Sequence, residues 1–202
     1  MAYPTVSAPY GLKPVNLIGG QVFAGATRLM EIASGYATSI FYGDLVKRVT
    51  AGTIEKDTGT ATATPCGVFL GVQFTNGSTG QVQQQQFYPA SQSIASGTKI
   101  FAVVADDPDT LFQVVSCSAT TTVAGMGIAA IGSNIALIQN AGSTTTGNSA
   151  VAIDEGTQTT TNTLPIRIID VVRDTATGAD TFVEFIVKIN ATMHQYNNAT
   201  GI

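Results

Sequence analysis

The stretch "CGVFLGVQF", residues 66–74, alternates with a period of two. Cys66, Val68, Leu70, Val72 and Phe74 fall on one face, and Gly67, Phe69, Gly71 and Gln73 on the other. Successive side chains of a strand point to opposite faces, so an apolar row of this kind reads as a β-strand with one buried face. The two glycines on the second face point to a close backbone approach or a bulge. On this reading Leu70 is core, and its truncation to Ala costs about 2–5 kcal/mol.

The same period runs outward from this strand. "KIFAVVADDPDTLFQVVS" (99–116) reads as a hairpin, with strands near 99–105 and 110–116 joined by Asp106-Asp107-Pro108-Asp109. "LPIRIIDVVRDTATGADTFVEFIVKIN" (164–190) reads as a second hairpin. Its return strand turns Val183, Phe185, Val187 and Ile189 inward, with Glu184 and Lys188 on the other side. "QNAGSTTTGNS" (139–149) and "EGTQTTTNT" (155–163) read as loops. A 3.6-residue stripe is not evident. Residues 125–138 come nearest, and Gly125, Gly127 and Gly132 argue against a helix there. "VAGMGIAAIGSNIALI" (123–138) is shorter than the roughly 20 apolar residues of a membrane span.

The first 35 residues look different. Pro4, Pro9 and Pro14 are spaced by five, and Gly11, Gly19, Gly20 and Gly25 follow. Proline fixes φ and pushes the preceding residue toward extended conformations. The segment 1–35 therefore reads as an extended arm that lies on a partner, with one strand at "TRLMEIA" (27–33). Residues 36–202 form the body, divisible near residue 118. The expected fold is all-β: a β-sandwich or β-barrel body, a β-tulip-like form among its variants, with an extended proline-rich N-terminal arm.

Charged residues make up 11% of the chain, against roughly 25% in a typical soluble domain. Net charge is −4. The nine bases, Lys13, Arg28, Lys47, Arg48, Lys56, Lys99, Arg167, Arg173 and Lys188, form no cluster. A row of phosphates or an anionic membrane surface is thus an unlikely partner on charge grounds. So little surface charge suits a protein that hides surface against partners. The first residues lack a basic start followed by an apolar core, and the two cysteines are far apart. Both features lead to the expectation of a chain made in a cytosol, with Cys66 and Cys117 reduced and buried.

Several motifs have a chemical and a plain reading. Asp57-Thr58-Gly59 matches the aspartic-protease triplet, but that chemistry needs two carboxylates sharing a proton, and "RDTATG" (173–178) does not supply the second triplet. Between Lys56 and "TATAT", Asp57 reads as a solvated hairpin tip, replaceable by Ala at a cost of no more than about 0.5 kcal/mol. Residues 142–149, "GSTTTGNS", follow the phosphate-loop spacing with Asn148 in place of the lysine and a strand pattern after it, so they read as a loop. Asp106, Asp107 and Asp109 lack the EF-hand spacing and read as a polar turn. His194 stands alone and reads as a surface or interface histidine. No catalytic residue, metal site or cofactor is expected.

At "APYGLKPVNLIGGQVFAGATR" (8–28), "IASGYATSIFYGDLVKRVTAGTIEKDTG" (32–59) and "GVFLGVQF" (67–74), and through "LPIRIIDVV" (164–172) to "MHQYNNATG" (193–201), the sequence resembles small structural proteins of tailed bacteriophages, especially of cyanophages. Within them it resembles capsid decoration, or cement, proteins. It is more coarsely similar to the head-decoration proteins of lambda-type phages, which have an extended N-terminal arm and a β-rich body. The chain is longer than the smallest of these, and residues 118–202 have no counterpart among them. The resemblance implies a non-enzymatic virion protein, made in the host cytoplasm, that binds the major capsid protein on the outer capsid surface as a homo-oligomer, a trimer on three-fold axes. The arm residues Tyr3, Pro4, Pro9, Tyr10, Leu12, Pro14 and Val15 are then the candidate capsid contacts. Two other readings stand beside it. One is a tail or tail-fibre component that binds receptor sugars through exposed Tyr36, Tyr42 and Tyr88. The other is a dimeric hydrolase built on Asp57.

Overall fold

The computed structural model describes residues 8–118, 122–123, 126–176 and 182–201. Among these the regular structure is all strand apart from two 3-10 turns, Ile128–Ala130 and Arg173–Thr175. The strands are β1 (Lys13–Leu17), β2 (Arg28–Ile32), β3 (Leu45–Arg48), β4 (Ile54–Lys56), β5 (Gly67–Thr75), β6 (Val82–Gln85) and β7 (Ile100–Ala105). They continue with β8 (Thr110–Ser118), β9 (Thr122–Val123), β10 (Asn134–Ile138), β11 (Ala152–Thr159), β12 (Ile166–Val171) and β13 (Glu184–Ile189).

The strands close into two rings. In the N-terminal barrel the order is β3-β4-β2-β7-β5, and β3 pairs again with β5. In the C-terminal barrel the order is β8-β11-β10-β12-β13, and β13 returns to β8. Each ring contains one nine-residue strand, β5 or β8, long enough to serve successive neighbours along one edge. The start of β5 pairs with β3 and its end with β6. The start of β8 pairs with β1 and its end with β11. Closure removes the open edges that an unclosed sheet would expose.

Each barrel is filled by inward side chains. Met30, Ile32, Val46, Ile54, Phe69, Val72, Phe74, Ile100, Ala102 and Val104 form the N-terminal core. Phe112, Val114, Ile135, Leu137, Ile153, Ile166, Ile168, Phe185, Val187 and Ile189 form the C-terminal one. The second cluster also takes in Leu12, Leu45, Ala63, Val68 and Ala105, so one apolar core crosses from barrel to barrel.

The all-β expectation holds, and several finer ones are corrected. The hairpin at 164–190 is present, with β12 antiparallel to β13 and Val183, Phe185, Val187 and Ile189 buried. The hairpin at 99–116 is not: β7 pairs with β2 and β5, whereas β8 lies in the other barrel. Asp106–Asp109 is therefore the crossover between barrels. Close to position 118, β9 folds back onto β8 in the same sheet. Residues 155–159 belong to β11 rather than to a loop.

The N-terminal arm is described only from Ala8 onward. Tyr3 and Pro4 lie outside the described residues. From Ala8 onward the segment is extended, but it is built into the body: β1 pairs with β8, β2 is a strand of the N-terminal barrel, Pro9 is buried and Leu12 has no exposed surface. The prolines are tolerated because Pro14 sits on β1, an outer strand, beside a bulge.

The opening stretch carries the last correction. A bulge between Phe69 and Gly71 inserts Leu70 as an extra residue against β7. Alternation therefore changes phase: Phe69, Val72 and Phe74 face the N-terminal core, Val68 faces the other barrel, and Leu70 is only half-buried. Phe69→Ala should cost about 3–5 kcal/mol and Leu70→Ala about 1 kcal/mol, read as denaturant midpoints at constant slope. Equal losses at the two positions would place the bulge elsewhere.

Candidate functional site

The densest polar cluster lies in the seam between barrels. Gly11 N–H donates to the Val151 carbonyl at 3.2 Å and Leu12 N–H to the Gly43 carbonyl at 3.0 Å, so the N-terminal segment bridges the two halves. The backbones meet closely there. A Cβ on Gly11 would sit 2.7 Å from Ser149 Cβ, and one on Gly43 2.9 Å from Leu12 N. Both glycines have positive φ, 81° and 92°, which side-chain-bearing residues rarely adopt.

Asp44, with no exposed surface, lies beside this crossing. Its Oδ1 accepts from Ser149 Oγ at 2.6 Å, and its Oδ2 accepts from Phe41 N–H at 2.8 Å and from Lys56 Nζ at 2.9 Å. Ser149 Oγ in turn accepts from Val151 N–H at 3.0 Å. A buried charge is tolerated only when so satisfied.

Tyr10 is half-buried; its hydroxyl donates to the Glu184 carboxylate, and Lys13 Nζ lies 3.9 Å from its ring centroid. Burial, then the Glu184 carboxylate, pushes the Tyr10 phenol well above its usual range. Of the described arm candidates, Pro9 is buried, Tyr10 and Leu12 have inward partners, and Pro14 and Val15 keep partial exposure on β1.

Asp57 is not a solvated tip. It is 3% exposed, and its carboxylate accepts from Gly59 N–H at 3.0 Å and Thr64 N–H at 2.8 Å. Gln139 Nε2 donates to the carbonyls of Asp57 and Gly59, at 3.1 and 2.9 Å, and pins this loop to the C-terminal barrel. The "TATAT" run that reads as solvent-facing packs Ala63 into the shared core instead.

His194, which the sequence places at the surface or an interface, is also buried, 1% exposed. It belongs to a C-terminal latch across the seam. Gln195 exchanges hydrogen bonds with the Arg48 backbone, at 2.7 and 3.1 Å, and its N–H donates to Pro65. Tyr196 OH donates to Asp106 at 2.7 Å, and Asp106 pairs with Arg28 at 3.0 Å. His194 Nδ1 accepts from Tyr196 N–H, and its Nε2 has no partner among the described residues. Burial lowers the His194 pKa, opposed by Asp106 and Asp107 and assisted by Lys188. A lone histidine among polar residues carries no periodic signal that would have revealed this.

The remaining motifs resolve plainly. Asp106 is held by Arg28 and Tyr196, Asp107 accepts from Asp109 N–H, and Asp109 pairs with Lys188. Among the described residues no group of three His, Cys, Asp or Glu gathers to hold a metal. Residues 142–149 form a loop that bridges to Tyr42, with β11 rather than a helix following. Both cysteines are reduced, and burial pushes their thiols up, to about 12 at Cys66 and about 11 at Cys117. Such thiols carry little thiolate at neutral pH. Tyr88 is fully buried, with its hydroxyl on the Tyr36 carbonyl, and Tyr36 OH accepts from Lys56 N–H. No described helix is long and apolar enough to cross a membrane.

One exposed face is distinct. On β2, β7, β5 and β6 the outward residues are Leu29 (59% exposed), Phe101 (37%) and Val82 (64%), set among Val103, Gln73, Thr75 and Gln84. Its ionic element is the Lys99–Glu31 pair. No family model, curated protein or solved structure matches the chain.

Asp57→Ala should destabilise by about 1–3 kcal/mol, because two enclosed N–H groups lose their acceptor. Chemical denaturation checks this, and a loss under 0.5 kcal/mol would return Asp57 to solvent. His194 sets a pH response. Its folded pKa lies below the unfolded 6.5, so its contribution is complete above about pH 6.5 and is lost as pH falls from there toward the folded value. The melting temperature should fall as pH drops below about 6.5, and His194→Gln should flatten that step.

Proposed function

We propose that the protein is a non-enzymatic capsid decoration protein of a tailed phage, which binds the outer surface of the major capsid lattice and stabilises it. The observation that carries this reading is a face of the N-terminal barrel with no net charge, on which the Lys99–Glu31 pair is the ionic element. Large apolar side chains, Leu29, Val82 and Phe101, stand exposed there among amides and hydroxyls. Contiguous apolar surface rimmed by polar groups suits a protein partner. It offers no row of bases to nucleic acid.

Two further observations support it. The barrels are joined by a shared core and a hydrogen-bonded seam, which suits a rigid clamp, and the segment that resembles the decoration-protein arm leads directly into that seam. A ligand that binds only the assembled shell stabilises it by mass action. The tail-fibre reading has less support: of its three tyrosines Tyr88 is buried, and Tyr36 and Tyr42 are half-buried.

Cosedimentation with empty capsids tests the proposal. The native chain should pellet with shells and raise their melting temperature, whereas Leu29→Glu and Phe101→Glu should weaken binding at least tenfold without altering the chain's own melting. Absence of binding to shells, or labelling confined to tails, would overturn it.

A further inference from the structure

The strands of the N-terminal ring have neighbours on both sides, but β6 pairs with β5 alone. Among the described residues no element covers its other edge. Asn76 N–H donates to the Gln81 carbonyl at 2.9 Å. Hydrogen-bonded pairs alternate along an antiparallel ladder, so Gln83 and Gln85 direct their main-chain groups to Phe74 and Val72. The main-chain groups of Val82 and Gln84 point away from β5. Natural edges are usually blunted by Lys, Pro, an inward charge or a bulge. "QVQQQQF", residues 81–87, carries no charge, proline or glycine, and the bulge of β5 lies beyond its last pair with β6.

We propose that β6 is a self-association edge, pairing antiparallel with β6 of a second copy about a two-fold axis at Gln83. In this register Val82 of each copy meets Gln84 of the other, and about four main-chain hydrogen bonds form. A second copy fits for a physical reason. The strand is neutral, so two copies approach without repulsion. Glutamine both donates and accepts, so a row of it is complementary to its own reverse. The chain also has a loose end here: Gln85 Oε1 is enclosed with no hydrogen-bond partner among the described residues. In this register Gln85 stands opposite Gln81 of the second copy, whose amide can donate once the Gln85 amide turns outward. Val82 lies on the same outward face as Phe101 and Leu29, so the two-fold makes the two apolar faces continuous. The contact is small and needs high local concentration.

The test uses the purified full chain without capsids, so its outcome is independent of the function proposed above. Sedimentation velocity should show a concentration-dependent monomer–dimer equilibrium. Gln84→Pro removes an N–H that the chain itself does not use; it should keep the native melting curve and lose the dimer. Gln83→Cys places two thiols across the axis, within the 4.4–6.8 Å Cα separation of a disulfide. On mild oxidation it should give a covalent dimer that the native chain, with its buried cysteines, does not. A native chain that stays monomeric at all concentrations, association unchanged by Gln84→Pro, or no cross-link from Gln83→Cys would each overturn the proposal.

Discussion

The carboxylate of Asp44 is the constraint on which the double barrel rests. It sits at the junction of Phe41, Lys56 and Ser149, with no water-exposed surface. Phe41 and Lys56 come from the N-terminal half and Ser149 from the loop entering β11, so one charge fixes both barrels. Its desolvation is offset only while all three partners are in place, and removing one leaves a buried charge uncompensated. That cost makes the seam selective, because the barrels can meet in only one arrangement that satisfies it. Gly11 and Gly43 permit this approach, since a Cβ at either would push the N-terminal segment out of the groove that Asp44 closes.

With so few charges, the chain uses those it has with economy. Asp44, Asp57, Asp106 and Glu184 are all buried or nearly so; Asp44, Asp106 and Glu184 accept hydrogen bonds from distant segments, and Asp57 closes its own loop. Three of the four act at the seam: Asp44 beneath the N-terminal segment, Asp57 in the loop held by Gln139, and Asp106 under the C-terminal latch. A low charge count is therefore compatible with a polar interior, and it leaves the outer face of the N-terminal barrel nearly free of charge.

Much of the strand content was legible, because alternation survives wherever a strand has one buried face. β13 is the clear case: Val183, Phe185, Val187 and Ile189 point inward as their spacing indicates. β5 was legible as a strand but not in phase. A bulge leaves no mark other than a glycine, and Gly67 and Gly71 were equal candidates. The crossover at Asp106–Asp109 was misread for a related reason. A short acidic segment with a proline looks the same whether the strands beside it pair with each other or with strands far away in sequence. Asp57 reads as a solvated tip and His194 as a surface or interface residue because their neighbours are polar. Burial of such residues is decided by tertiary contacts, here Gln139 and the Tyr196 latch, which local composition does not encode.

Both barrels solve closure with one overlong strand, and the solutions differ in what they leave outside. On β8 the surplus length is occupied by β1 and β9, and β1 draws the N-terminal segment into the core through Leu12. On β5 the surplus holds β6, which brings no core residue comparable to Leu12 and alternates between exposed and half-buried positions. The first attachment is consumed by folding, because removing it would open the shared core. The second contributes little to the interior and leaves its outer main-chain groups to solvent. A strand retained under those conditions has its chemistry directed outward, and its neutrality makes it a surface for protein rather than for a charged ligand.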